Sequence, residues 1–195
     1  TFPNETLPKG RKQKTTALYD RFVNQGAVMG DSFGLENVLW FANNKEDAHE
    51  EPTIKRSRSH DYVSKEVQNV RENVGAIEVA NFSKHEFKGP DARKFLDYIL
   101  AGKLPKKGRI SLSPMLTYRG KLYGDLTVAC LDENEFMIFG SGAAQEMHRR
   151  WFESHISKFN VKYLNRSDDF HGIAIAGPKS RKLFQKLVRE NVSNE

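Results

Sequence analysis

Asp125 is the residue whose type and setting most invite chemistry. It interrupts an otherwise apolar segment, Leu122-Tyr123-Gly124-Asp125-Leu126-Thr127-Val128-Ala129-Cys130. If that segment is a strand, alternation puts Tyr123, Asp125, Thr127 and Ala129 on one face, with Leu126 and Val128 on the other. Phe139 and Ser141 share a face of the next segment. With the hairpin in register, the two sets line a shallow wall carrying a carboxylate, hydroxyls and aromatic surface. A carboxylate beside apolar surface can transfer a proton or stabilise a cation. A lone Asp in a strand can equally well cap or turn the chain.

Other constellations are weaker. Gly140-Ser141-Gly142-Ala143-Ala144-Gln145 follows one expected strand and opens a helix, but Gln145 stands where a dinucleotide fingerprint wants a small residue. That run reads as a close approach of backbone to a neighbour or ligand at a helix start. No Lys-Ser or Lys-Thr follows these glycines, so a phosphate-cradling loop is not expected, and Ser141 lacks the nucleophile-elbow pattern. The 6 histidines form no pair at short helical ligand spacing, and no metal is expected. The single Cys130 allows neither an internal disulfide nor a thiolate cage.

The elements that must position Asp125 lie mainly beyond Val74. Two short connections, Arg119-Gly120-Lys121 and Asp132-Glu133-Asn134, predict three antiparallel strands over 110–118, 122–131 and 135–139. Ala92, Phe95, Leu96 and Ile99 give a helix its apolar stripe between Pro90 and Gly102. A second helix over 143–158 is expected to bury Met147, Trp151, Phe152 and Ile156. Strands over 161–165 and 171–176 then lead into a last helix from Pro178 to about Asn191. Phe87-Lys88-Gly89-Pro90 through Leu96 is echoed by Ile175-Ala176-Gly177-Pro178 through Phe184, predicting two similar strand–helix units in an α+β body.

Residues 1–73 read as a linker or peripheral segment, turn-rich, with an aromatic island at 35–42 and a surface helix over 62–73. Charge is uneven. Residues 84–121 carry ten basic side chains against three acidic ones, a local excess of +7 that can attract polyanions. A solvated basic face is the plainer reading of such a run. With 13 Phe and 2 Trp the chain has core material that disordered segments lack. Its longest apolar runs fall far short of the ~20 residues of a bilayer-spanning helix, so no membrane partner is expected. Nor is nucleic acid, since only Tyr123 and Phe139 offer stacking rings.

Taken together, Gly124-Asp125-Leu126-Thr127-Val128, Met115-Leu116-Thr117-Tyr118-Arg119-Gly120, Phe139-Gly140-Ser141-Gly142 and Ile173-Ala174-Ile175-Ala176-Gly177-Pro178 resemble the folate-binding aminomethyltransferase domain. That domain occurs in the T-protein of the glycine cleavage system and at the C-terminal end of dimethylglycine and sarcosine dehydrogenases. The island Leu35-Glu36-Asn37-Val38-Leu39-Trp40-Phe41 is similar to the dehydrogenase branch. The resemblance implies antiparallel sheets with flanking helices, part of a three-lobed fold holding tetrahydrofolate in a central hole. Residues 74–195 would then be the N-terminal part of the folate domain, its C-terminal part missing.

Carried over residue by residue, the resemblance makes Asp125 the reactive carboxylate beside the folate nitrogens. Leu112, Tyr123, Thr127, Phe139 and Ser141 become the folate-contacting positions. Many relatives carry Tyr at the position of Leu112 and Asn at that of Ser141, which leaves fewer polar contacts here. The implied activity is capture of an iminium or formaldehyde-level carbon as 5,10-methylenetetrahydrofolate in an amine-demethylating enzyme, with folate (polyglutamylated or not) as partner. FAD enters only if a flavin-dependent dehydrogenase domain precedes the chain. The alternatives are a stand-alone aminomethyltransferase and a non-catalytic regulatory or scaffold module of the same fold. With its single cysteine and no signal-peptide pattern, the chain is expected in the cytoplasm, or alternatively the mitochondrial matrix.

Overall fold

A computed structural model describes residues 7–193. In chain order its main elements are α1 (Tyr19–Asn24), β1 (Ala27–Ser32), β2 (Leu35–Phe41), α2 (Ser59–Glu72), β3 (Gly75–Glu78), β4 (Phe82–Lys88), α3 (Ala92–Ile99), β5 (Ile110–Leu116), β6 (Leu122–Asp132), β7 (Glu135–Ser141), α4 (Gln145–His155), β8 (Lys162–Asn165), β9 (Ile173–Ala176) and α5 (Ser180–Phe184). They divide into two compact units, Ala80–Phe170 and the remainder.

The unit from Ala80 to Phe170 is an antiparallel sheet of five strands in the order β5-β6-β7-β4-β8. Phe95, Leu96 and Ile99 of α3 and Phe152 of α4 pack with Phe87, Leu126, Val128, Phe136 and Ile138 in one buried cluster. The Phe87 ring sits 5.5 Å from Phe95 and 5.1 Å from Phe152. Both helices therefore seal the same face of the sheet, and each of these buried aromatic rings contributes about 2–3 kcal/mol by leaving water. Alternation along β6 and β7 sends Asp125, Thr127, Phe139 and Ser141 to the opposite face.

The other unit joins the β1–β2 hairpin with α1, α2, α5 and the antiparallel pair β3–β9. Trp40, Val28 and Ala42 form its buried centre, and the Trp40 ring lies 4.9 Å from Tyr62 of α2. Glu36 is fully buried, and its carboxylate accepts from Arg11 Nε at 2.7 Å and from the Lys12 amide at 2.8 Å. The Arg11 guanidinium holds that carboxyl below the usual carboxylate range. Residues 7–73, the described part of the stretch 1–73, are thus more than a linker. Their later part builds a hairpin and a 14-residue helix, and they share a unit with the chain from His171 onward. The last helix is also shorter than its sequence pattern, ending at Phe184 instead of near Asn191.

The sequence echo is a structural one. Gly89 and Gly177 both adopt positive φ, 144° and 116°. In each turn the residue after the proline donates its amide to an asparagine carbonyl, Asp91 to Asn160 at 3.2 Å and Lys179 to Asn73 at 2.8 Å. A Cβ on Gly89 would lie 2.7 Å from the Asn160 oxygen, and one on Gly177 2.6 Å from the Asn73 oxygen. Both the backbone angle and the close carbonyl demand glycine. Gly89→Ala is therefore expected to destabilise the chain by at least about 2 kcal/mol in urea denaturation. Arg11→Met, which strands the buried Glu36 carboxylate, is expected to cost about 3 kcal/mol in the same assay.

Candidate functional site

The open face of the five-stranded sheet collects most of the expected site residues. One row across the strands reads Leu112, Thr127, Phe139 and Lys84, each paired with the next. Two residues along, Asp125 pairs with Pro114, and Ser141 pairs with Phe82. Asp125 and Ser141 are exposed, and Thr127 and Phe139 are half-buried. Leu112 is 71% exposed, so this patch offers apolar surface directly beside the carboxylate. Alternation is the local cause. Leu126 and Val128 are fully buried on the helix side, which leaves Asp125 and Thr127 facing away from the helices.

Tyr123 does not join that patch. Pairing between β5 and β6 shifts register at Met115/Leu116, where the residue opposite Leu116 is Leu122. A bulge of this kind re-aims the side chain beside it. The Tyr123 ring packs against the main core, 4.6 Å from Trp151 of α4. Its expected place on the wall with Asp125 followed from unbroken alternation, which the bulge interrupts.

The basic cluster is partly absorbed. Lys88 pairs with Glu135 at 2.8 Å, Lys107 with Asp132 at 2.9 Å and Arg93 with Glu133 at 3.7 Å. Lys84 is 4% exposed, and its ammonium donates to the carbonyls of Ala80 at 3.2 Å and Phe82 at 2.7 Å. The glycines of the Gly-Ser-Gly run meet protein neighbours. A Cβ on Gly142 would come 2.1 Å from the Asn81 carbonyl oxygen, which is the close backbone approach read from the sequence. Among the described residues no three His, Cys, Asp or Glu side chains cluster for a metal, and no helix is long and apolar enough to cross a membrane. A cavity of about 380 Å³ lined by Ile173, Ile175, Ser180, Arg181, Phe184 and Val192 lies in the other unit and contains none of the expected site residues.

Beneath the patch, on the helix side, lie two buried histidines. His85 is fully buried and His148 is 2% exposed. His85 Nδ1 meets the Tyr163 hydroxyl at 2.9 Å, and His148 Nε2 faces the Tyr123 carbonyl at 3.3 Å. His85 Nε2, His148 Nδ1 and Ser83 Oγ have no protein partner. Burial, with the neighbouring His148, pushes His85 down to about 4, and burial also lowers His148. The stripe expected on α4 ran through Met147, yet Met147 is 39% exposed and His148 takes the buried place. Gly124 and Gly140 on adjacent strands were the available signal, because together they leave room for a ring.

An antiparallel sheet with helices on one face, beside a second strand–Gly-Pro–helix unit, is an α+β arrangement of the kind the sequence resemblance implies. The comparisons agree. The family model described as the GCVT N-terminal domain matches residues 18–195, and the chain belongs to that family. It is 32% identical to the mitochondrial dimethylglycine dehydrogenases of Mus musculus and Homo sapiens over its whole length, covering 23% of each. An aminomethyltransferase of Staphylococcus epidermidis is 29% identical over 93% of the chain, which spans 45% of it. The glycine cleavage system aminomethyltransferase T of Bartonella henselae superposes with a TM-score of 0.74 at 21% identity, over 90% of this chain and 44% of that one. The chain thus spans less than half the length of these relatives.

The buried histidines give the chain an acid limit. With its folded pKa near 4 and an unfolded value of about 6.5, His85 binds its proton more readily in the unfolded chain. Its contribution is complete above about pH 6.5 and is lost as pH falls toward 4, for a total of about 3 kcal/mol. Urea denaturation at pH 7.5, 6 and 5 should show stability falling through this window. A His85→Phe chain, less stable at neutral pH because Tyr163 loses its partner, should show a flatter dependence.

Proposed function

We propose that this chain contributes the carboxylate-bearing face of a tetrahydrofolate-dependent one-carbon transfer site, in an amine-demethylating protein related to the dimethylglycine dehydrogenases. The observation that carries the reading is the gathering of Asp125 with Leu112, Thr127, Phe139 and Ser141 on one face of the sheet, a carboxylate beside hydroxyls and apolar surface. Similarity to dimethylglycine dehydrogenase along the entire chain supports it.

The patch suits a reduced pterin. Leu112 and Phe139 offer apolar surface to a ring, while the Thr127 and Ser141 hydroxyls can donate to or accept from its polar edge. Tetrahydrofolate, when bound, supplies two nitrogens that together take up one carbon at the formaldehyde level. Asp125 then stabilises the cationic carbon donor and accepts the proton released as a nitrogen engages it. Oxidation of the amine to an iminium falls in this reading to a flavin domain elsewhere in a longer protein. Residence in the mitochondrial matrix fits the dimethylglycine dehydrogenase likeness better than the cytoplasm does.

The exposure of Asp125 also favours a second reading. A carboxylate open to solvent carries no desolvation cost, so its presence alone does not demand work, and a non-catalytic module of the same fold keeps the same patch. Calorimetric titration with 5-formyltetrahydrofolate separates the two. The one-carbon reading expects a dissociation constant of roughly 10–1000 µM for the chain, equivalent to about −4 to −7 kcal/mol. It also expects Asp125→Ala to slow methylenetetrahydrofolate formation by about 10²–10⁴ in a protein holding the complete site, with folding unchanged. No heat with the folate, or an unchanged rate in the variant, would favour the scaffold.

A further inference from the structure

His148 reaches the backbone that carries Asp125 and Ser141 from the reverse side of the sheet. Its ring lies against two adjacent strands at once. A Cβ on Gly124 would come 2.8 Å from His148 Nε2, and a Cβ on Gly140 3.1 Å from His148 Nδ1. Any side chain at either position would displace the ring. Gly124 immediately precedes Asp125 and Gly140 immediately precedes Ser141, so the ring seats behind both members of the exposed pair. Nε2 also faces the carbonyl of Tyr123 at 3.3 Å, beside the register shift of β6, where the β5–β6 ladder is irregular.

We propose that His148 is a positioning residue: its imidazole, seated in the gap left by Gly124 and Gly140 and donating to the Tyr123 carbonyl, fixes the backbone from which Asp125 and Ser141 project. The inference rests on the one-carbon reading for its functional consequence, though not for its geometry. Successive residues of a strand face opposite ways, so a displacement of Gly124 away from the helix carries Asp125 with it. A shift of about 1 Å in a group that must meet a reacting atom can cost on the order of 10²-fold in rate.

The device works with a neutral ring. With Nε2–H donating to the Tyr123 carbonyl, Nδ1 presents a lone pair, and a second proton there would put a charge in a buried setting. The groups facing the ring are few. From β4 come Ser83 and His85, the latter 6.3 Å away between ring centres, and from β8 comes Tyr163 through its bond to His85. On α4 itself Glu146 and Glu153 are both held by Arg149, and Phe152 is apolar. From β6 and β7 the ring faces Gly124, Gly140 and the Tyr123 carbonyl, with Leu126 beside it. Among the described residues, no carboxylate contributes to holding a proton on this ring.

Two substitutions test the assignment in the full chain. His148→Gln keeps an N–H that can reach the carbonyl and removes the titration, while His148→Leu keeps similar bulk and removes the donor. The readouts are amide hydrogen-exchange protection over 123–127 and 139–143, corrected for intrinsic rates, and affinity for 5-formyltetrahydrofolate, each at pH 7.5 and 5.0. His148→Leu should lower protection at Gly124 and Asp125 by about tenfold and affinity by about fivefold or more, with protection of Phe87 and Val128 retained. His148→Gln should match the parent within about twofold at pH 7.5. At pH 5.0 it should lose no more protection at Gly124 and Asp125 than at Phe87 and Val128, where the His85 titration sets the shared acid loss, whereas the parent loses more at Gly124 and Asp125.

Parent-like protection and affinity in a folded His148→Leu chain, or in His148→Gln the parent's excess acid loss at Gly124 and Asp125 over Phe87 and Val128, would overturn the proposal. Should His148→Leu fail to fold, the pH comparison with His148→Gln decides. Should the parent bind no reduced folate, the one-carbon reading fails, and the exchange data still judge the positioning role.

Discussion

Burying Leu126 and Val128 beneath two helices leaves Asp125 only one side of the sheet on which to stand. That parity is the constraint from which the rest follows. Phe87, Phe95, Phe136 and Phe152 are all fully buried between the sheet and the helices, and together they offset several kcal/mol of chain ordering. A slip of one residue in β6 would exchange the buried and open sets and place a carboxylate among those rings. The core therefore sets the address of Asp125 as firmly as any contact that residue makes itself.

What could be read from the sequence is what short-range rules govern. The hairpins over 110–141 follow from brief polar connections between apolar runs, and α3 follows from Ala92, Phe95, Leu96 and Ile99 at helical spacing. The face shared by Asp125, Thr127 and Phe139 follows from period two. Tyr123 escaped the rule because a single register shift two residues from Asp125 turned its ring to Trp151, and nothing in residue type announces a bulge. The end of α5 escaped because apolar residues at Leu183, Phe184, Leu187 and Val188 keep helical spacing. In the structure only Ser180–Phe184 forms the helix.

Long-range association was harder still. The island at 35–42 reads as an isolated apolar stretch until its partners are known. Glu36 lies fully buried in it and is tied to Arg11, 25 residues earlier. A buried carboxylate inside an apolar run resembles an error in the pattern until its cation is found, because the pair is separated by turns and a helix. The same holds for β3 and β9, which pair although 97 positions separate Ile77 from Ala174. Only the Gly-Pro echo, which brings Gly177 onto the Asn73 carbonyl, hinted that distant segments meet.

Of the polar side chains buried in the main unit, the two histidines stand out, and one of them sits where glycine interrupts the strands. His148 could occupy the helix-facing side only because Gly124 and Gly140 withdraw their side chains, and His85 beside it leaves a second ring nitrogen unbonded. An aliphatic residue in place of His148 would satisfy packing without orphaned polar atoms, and natural cores avoid such atoms where packing alone is at stake. Retaining an acid-labile ring under the stretch of β6 that carries Asp125 is a stability cost with a specific location. That coincidence sets the buried ring back to back with the exposed patch, with only the strands of the sheet between them.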